Sequence, residues 1–250
     1  MSGHSKWSSI KHKKGAADAK RGQLFSKLSR AIIVAAKEGG PDPSGNLALQ
    51  NAIEKARSYS MPKDNIERAI ARGSGQDSDA GSFETIVYEG YGAGGIAVMV
   101  EALTDNRNRT ASEVRHLFAK NDGNLGETGG VAWLFERRGV VLVDGSADED
   151  ELMLAAAEGG ADDIERDGSS WQITSAPEQL AAVRSAVEAA GFAVDSAELT
   201  MIPKTTIEVD DESQAKKILR LVDALEDNDD VQEVYANFDI PERVLEEVAS

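Results

Sequence analysis

The stretch with the densest chemistry is Gly3-His4-Ser5-Lys6-Trp7-Ser8-Ser9-Ile10-Lys11-His12-Lys13-Lys14-Gly15. Lys6, Lys11, Lys13 and Lys14 place four cations there with no acid between them. Such a run suits a phosphate backbone, because each ammonium that neutralises a phosphate releases condensed counterions. Trp7 serves either as a stacking platform for an unpaired base or as a hydrophobic anchor. His4 and His12 are suited to hydrogen-bond phosphate or base edges. The basic character continues beyond the arm. At about 100° per residue, Lys20, Lys27, Arg30 and Lys37 fall on one side of a following helix, opposite its apolar face. Further on, Thr104-Asp105-Asn106-Arg107-Asn108-Arg109-Thr110 sets Arg107 and Arg109 just ahead of an expected helix start. There they either grip phosphates beside the helix N-terminus or are simply solvated or paired to acids. The expected nucleic-acid-binding residues are therefore Lys6, Trp7, Lys11, His12, Lys13, Lys14, Lys20, Lys27, Arg30, Arg107 and Arg109.

Other chemistries find little support. The chain of 250 residues has no cysteine, which removes disulfides, thiolate zinc sites and cysteine nucleophiles together. With only three histidines, a metal site on His4 and His12 is not expected. No Walker sequence, Gly-x-Ser-x-Gly or His-Glu-x-x-His occurs. The run Tyr88-Glu89-Gly90-Tyr91-Gly92-Ala93-Gly94-Gly95 lies between two strands rather than between a strand and a helix. It reads as a hairpin loop, not a phosphate cradle. His116 reads as packing or surface, and the carboxylate runs Asp148–Glu151 and Glu226–Asp230 as solvated surface. No catalytic, cofactor-binding or metal-binding residue is expected, and the chain reads as a non-enzyme. No window approaches the ~18–20 apolar residues of a membrane span. The N-terminus lacks the apolar core of a secretory signal. A cytoplasmic protein is expected.

The net charge of −17 argues against nucleic acid until its distribution is considered. Residues 1–75 hold 14 Lys and Arg against 6 Asp and Glu, whereas the remainder holds 13 against 38. A basic binding element carried on acidic modules follows from that asymmetry, and the acidic modules would repel phosphate and confine binding to one face.

Three elements follow the arm, which reads as extended or partly ordered. A helix begins near Ala16 with Leu24, Leu28, Ile32 and Ala35 inward, and stops at Gly39-Gly40-Pro41. A second runs from about Asn46 to Ser58, and a third follows Pro62 to Gly73. Residues 73–81 read as a flexible linker. Strands at 85–88 and 96–102 then flank the glycine turn. Thr110-Ala111-Ser112-Glu113 reads as a capping box for a helix with Val114, Leu117 and Phe118 inward. Residues 139–201 give strand 140–143, a helix capped from Ser146, strands 162–165 and 171–174, a helix capped from Ser175, and strand 194–201. That is the β-α-β-β-α-β order of a ferredoxin-like unit. The last piece reads strand 205–209, helix 212–225, strand 231–236.

The motifs Gly3-His4-Ser5-Lys6-Trp7, Ile10-Lys11-His12-Lys13-Lys14, Met61-Pro62-Lys63-Asp64-Asn65-Ile66-Glu67-Arg68-Ala69, Tyr88-Glu89-Gly90-Tyr91-Gly92 and Leu103–Thr110 together resemble the YebC family. The resemblance implies an α+β protein, with an N-terminal three-helix domain plus two α/β (ferredoxin-like) domains, one inserted into the other. The boundaries expected are 1–80 for the arm and helical domain, 81–131 with 204–250 for a discontinuous α/β domain, and 132–203 for the insert. It also implies a bacterial, cytoplasmic factor of gene expression. Many members are described as probable transcriptional regulators that bind DNA. Others look like ribosome-associated translation factors that relieve stalling on proline-rich sequences. The expected partner is nucleic acid, DNA and/or ribosomal RNA, with the ribosome as a further candidate. No cofactor, membrane or small-molecule substrate is expected. Two other classes remain open: a protein-only adaptor working through the acidic modules, and an enzyme holding a phosphorylated small molecule between the glycine turn and Arg107/Arg109.

Overall fold

The computed structural model describes residues 18–75, 83–167 and 170–249. They divide into two compact units, residues 18–130 with 216–234 and residues 131–215 with 235–249. The arm, the start of the first helix and the linker segment 76–81 lie outside the described residues.

The first unit opens with α1 (Asp18–Gly39), α2 (Leu47–Ser58) and α3 (Lys63–Gly73). Leu28, Ile32, Ile33, Ala35 and Ala36 of α1 close a core with Leu49, Ile53, Ala56, Ile66 and Ala69. One side chain governs the α1–α2 turn. The Asn46 Oδ1 accepts from the Leu49 amide at 3.1 Å as the cap of α2. Its Nδ2 donates to the Ala35 and Gly40 carbonyls at 2.7 and 2.8 Å, satisfying the end of α1. Gly40 adopts φ +88°, which ends the helix as expected. Gly73 departs from expectation. It is buried, and a Cβ there would lie 2.4 Å from the Ile33 carbonyl oxygen. The glycine expected to open a linker instead lets α3 approach α1.

The strands β1 (Glu84–Tyr91) and β2 (Ala97–Thr104) pair antiparallel from Glu84–Thr104 to Tyr91–Ala97. A 3₁₀ turn, Ala93–Gly95, closes this hairpin. α4 (Arg107–Lys120) and β3 (Asn124–Leu125) follow, and β3 pairs with β1. The expected capping box is wrong in register. Asn106, not Thr110, is the N-cap, its Oδ1 accepting from the Arg109 amide at 3.1 Å. The helix therefore begins four residues earlier than the box implied, and Arg107 and Arg109 sit inside its first turn.

The second unit contains β4 (Phe135–Asp144), α5 (Glu149–Glu158), β5 (Ala161–Asp167), β6 (Ser170–Ser175), α6 (Leu180–Ala189) and β7 (Val194–Pro203). Its sheet order is β5-β6-β4-β7, with every neighbour antiparallel. That is the ferredoxin-like arrangement. Val141, Val143, Trp171, Ile173, Leu152, Val183 and Val187 form its core. Two caps differ from expectation. Asp148, rather than Ser146, caps α5 by accepting from the Glu151 amide at 3.0 Å. Ser175 caps nothing, and its hydroxyl is buried without a hydrogen-bond partner. A 3₁₀ turn, Pro177–Gln179, leads into α6 instead.

The chain continues through β8 (Ile207–Glu208), α7 (Glu212–Glu226), β9 (Val231–Ala236), β10 (Phe238–Asp239) and α8 (Glu242–Ala249). β9 returns to the first sheet, whose order is β3-β1-β2-β9, while β8 and β10 form a short parallel pair. β10 and α8 were not read from the sequence.

Candidate nucleic-acid interface

Of the residues expected to meet phosphate, Lys6, Trp7, Lys11, His12, Lys13 and Lys14 lie outside the described residues. Lys20 falls in the first turn of α1. The remaining four are placed, and three of them turn inward toward one acidic corner of the first unit.

Lys27 donates from Nζ to the Glu226 carbonyl. Burial lowers its pKa, against the raising influence of Glu226, Glu233, Asp227 and Asp229 around it. One helical turn on, Arg30 Nη1 reaches the Asp229 carbonyl at 2.7 Å and Asp230 Oδ1 at 2.8 Å. Gln23, one turn earlier, donates to the Asp227 carbonyl and to Asp229 Oδ1 at 2.5 and 2.9 Å. The stripe Gln23-Lys27-Arg30 follows the i, i+4 and i, i+3 spacings that line up one face of a helix. The helix periodicity was legible, but the partner of that face was not.

From the sheet, Arg109 Nη2 donates to Asp230 Oδ2 at 2.8 Å and to Asp105 Oδ1 at 3.0 Å. Thr110 Oγ1 donates to Asp230 Oδ2 at 2.7 Å, and Thr104 Oγ1 lies 3.2 Å from the same oxygen. Asp230 is thus the centre of the constellation, with a side chain only 5% exposed. Burial pushes its pKa up, but hydrogen bonds from Arg109 and Thr110 and the charges of Arg109 and Arg30 outweigh that and hold it below the ordinary carboxylate range. The hydrogen bonds of Arg109, first to Asp230 and then to Asp105, raise its own pKa.

Asp230 was missed because it ends an acidic run that reads as solvated surface. The usable signal was its place immediately before the apolar strand β9, where the Leu103 amide donates to the Asp230 carbonyl at 2.8 Å. Lys55, paired with Glu233, is a second missed contact of the same kind. A further buried carboxylate, Glu89, accepts from the Gly129 amide at 2.7 Å. It therefore holds the loop of residues 126–130, which follows β3, against β1.

Arg107 differs from its neighbours. Its side chain is 69% exposed, with Glu84 at 3.9 Å as a loose ion partner. On α3, two polar side chains at the helix start, Lys63 and Asn65, have neighbours on the same helix. The Asn65 Oδ1 accepts from Arg68, and Lys63 lies 3.4 Å from Glu67. His116 is exposed. Among the described residues, no helix is long and apolar enough to cross a membrane.

Two family models match the chain. "TACO1/YebC protein N-terminal domain" covers residues 5–76, and "TACO1/YebC second and third domain" covers residues 83–238. A Rubrobacter xylanophilus protein named "Probable transcriptional regulatory protein" is 61% identical over 250 residues, covering all of both chains. A Desulfotalea psychrophila protein of the same description is 55% identical, again over the full length of both. A crystal structure of a conserved hypothetical protein from Aquifex aeolicus superimposes with a TM-score of 0.80 at 49% identity. It covers 90% of this chain and 93% of the other.

Proposed function

The chain belongs to the YebC family, and on that premise we propose that it is a cytoplasmic, nucleic-acid-binding regulatory factor of gene expression whose contacts begin with the cations of the N-terminal arm. The observation that carries this reading is the segregation of charge. Residues 1–17 hold four lysines and no acid, while the rest of the chain is strongly acidic. Lys27, Arg30 and Arg109 are spent on the acidic corner around Asp230. In this reading they position the helical segment, and Lys6, Lys11, Lys13, Lys14, Lys20 and the exposed Arg107 supply the phosphate contacts.

Relatives carry the description of probable transcriptional regulators, which is a non-enzyme role and favours DNA as the target. The start of α3 offers few side chains for reading base edges beyond Lys63 and Asn65, which favours the alternative of ribosomal RNA. Phosphate contact without sequence reading suits a structured RNA. We therefore place a ribosome-associated role, including relief of stalling on proline-rich sequences, slightly ahead of operator binding.

The test is to titrate the full chain with ribosomal RNA and with duplex DNA over a range of salt, then repeat with Lys6, Lys11, Lys13 and Lys14 changed to Gln. On duplex DNA, log affinity is expected to fall by about 0.9 per phosphate neutralised for each tenfold rise in salt, and the variant to lose most of that slope. An unchanged slope in the variant removes the arm from the interface. Sedimentation with ribosomes, set against selection of a defined operator, separates the two targets.

A further inference from the structure

We propose that the outer face of α5 is a docking surface for a lysine- and arginine-rich protein segment carrying an apolar anchor. The inference rests on the reading above in one respect: proteins packed on nucleic acid are the ones that carry such segments.

α5 buries Leu152, Ala155 and Ala156 in the core of the ferredoxin-like unit. Its other side presents Met153 and Leu154, 45% and 65% exposed. Large apolar side chains at that exposure are few among the described residues, and two of them are consecutive in this ten-residue helix, about 100° apart around its outer side. Leu154 has Asp150 and Glu151 one turn before it and Glu158 one turn after it, the spacing at which helix side chains are neighbours. Glu149, Asp150, Glu151 and Glu158 are all exposed, and none forms an ion pair among the described residues.

Helix electrostatics account for part of this and not the rest. Acids in the first turn suit the positive end of the helix dipole. Glu158 in the last turn is on the unfavourable end, with no basic residue there to offset it. Nor does the dipole explain two exposed aliphatic residues. An apolar pair ringed by unpaired carboxylates is complementary to a cationic segment with one or two buried anchors, the desolvated centre and charged rim of a small interface. The surrounding module has the same sign, with 15 acidic and 4 basic residues over 132–203. It repels nucleic acid and leaves a basic polypeptide as the fitting occupant.

The probe is a synthetic twelve-residue peptide of lysines with two leucines spaced to share one helix face, titrated into the full chain by calorimetry at low and moderate salt. A matched peptide with serines in place of the leucines is the control. The leucine peptide is expected to bind, and Leu154→Ser to weaken it by about fivefold, the loss of one partly buried aliphatic side chain. Glu149→Gln with Glu151→Gln is expected to weaken it and flatten its salt dependence, whereas Glu165→Gln leaves it unchanged. All four side chains are exposed, so the variants should stay folded, with Glu149→Gln and Glu151→Gln lowering the melting temperature only by the small loss of their helix-dipole interaction. Equal binding of the serine peptide, or indifference to Leu154→Ser, overturns the proposal. So does binding that appears only after the chain's own arm lysines are changed to Gln, since the arm would then be the occupant. Self-association abolished by Leu154→Ser overturns it in favour of a second copy. Because the readout uses no nucleic acid, it is independent of whether the arm binds RNA or DNA.

Discussion

Arg30 and Arg109 hold opposite oxygens of one buried carboxylate, each at 2.8 Å. One comes from the first helix and the other from the first turn of α4, and Asp230 joins them. A buried carboxylate is tolerated only when paired and hydrogen-bonded, so both arginines are required by Asp230 as much as they hold it.

Asp230→Ala should therefore be costly. It leaves two arginines and the Thr104 and Thr110 hydroxyls without their shared acceptor. Breaking such a pair costs about 3–5 kcal/mol when both partners are buried. The guanidinium groups here are partly exposed, so about 2 kcal/mol is expected. The measurement is urea unfolding followed by far-ultraviolet circular dichroism at the helix minimum. A double-mutant cycle of Arg30→Met with Asp230→Ala should show strong coupling, since both changes remove the same contact.

The same carboxylate predicts a pH response. Its folded pKa lies below the unfolded value of about 3.9, so its contribution is present above that value and lost as pH falls through the folded one. Melting temperature should drop more steeply from pH 5 to pH 3 in the wild type than in Asp230→Asn. Parallel curves for the two proteins would remove Asp230 from the acid response.

Cations of the arm and of α1 should separate cleanly. Lys27→Gln and Arg30→Gln are expected to lower the melting temperature while leaving the salt dependence of nucleic-acid binding unchanged, because their charges are already used within the unit. Gln at Lys6, Lys11, Lys13 and Lys14 should do the reverse. A drop in salt slope from Lys27→Gln would assign that lysine to the interface.

Two glycines in the helical segment predict opposite signs. A methyl at Gly73 would stand 2.4 Å from the Ile33 carbonyl oxygen and 2.7 Å from Ala36 Cβ, so Gly73→Ala should destabilise by about 2 kcal/mol. Gly22 lies within α1 with nothing inside 4 Å of its missing Cβ. Gly22→Ala should stabilise by about 0.5–1 kcal/mol, as expected for glycine in a helix interior. Thermal melts of the two variants against wild type decide both.

Much of the architecture was legible because it rests on periodicity. Leu28, Ile32 and Ala35 announced α1, Asn46 and Pro62 marked where α2 and α3 begin, and the alternation of elements over 139–201 gave the ferredoxin-like order. What failed depended on which of several competent groups a distant partner selects. Thr110 has the chemistry of a cap. Thr104, whose hydroxyl accepts from the Asn106 amide at 2.9 Å, fixes the cap at Asn106, and Asp230 draws the Thr110 hydroxyl inward. The strands ran longer than their apolar cores because pairing continues through polar residues, as with Glu136–Arg138 of β4 against β7. The site was legible in its cations and not in their partners. A helix face of Lys and Arg looks the same to local pattern whether phosphate or a carboxylate encoded 200 residues later receives it.

The strand that completes the first sheet is separated in the chain from its neighbour β2 by the whole ferredoxin-like module and α7. Without β9, one flank of β2 has unpaired backbone groups, and without residues 226–230 just before it, Lys27, Arg30 and Arg109 lack their acceptors there. A nascent or C-terminally clipped chain is therefore a different electrolyte from the finished one. Its first helix carries unanswered positive charge, and its sheet has an open side ready to take another strand. A chain cut before Glu226 would pair a first helix of unanswered cations with an open sheet edge, and so would not behave as a shortened copy of the same protein.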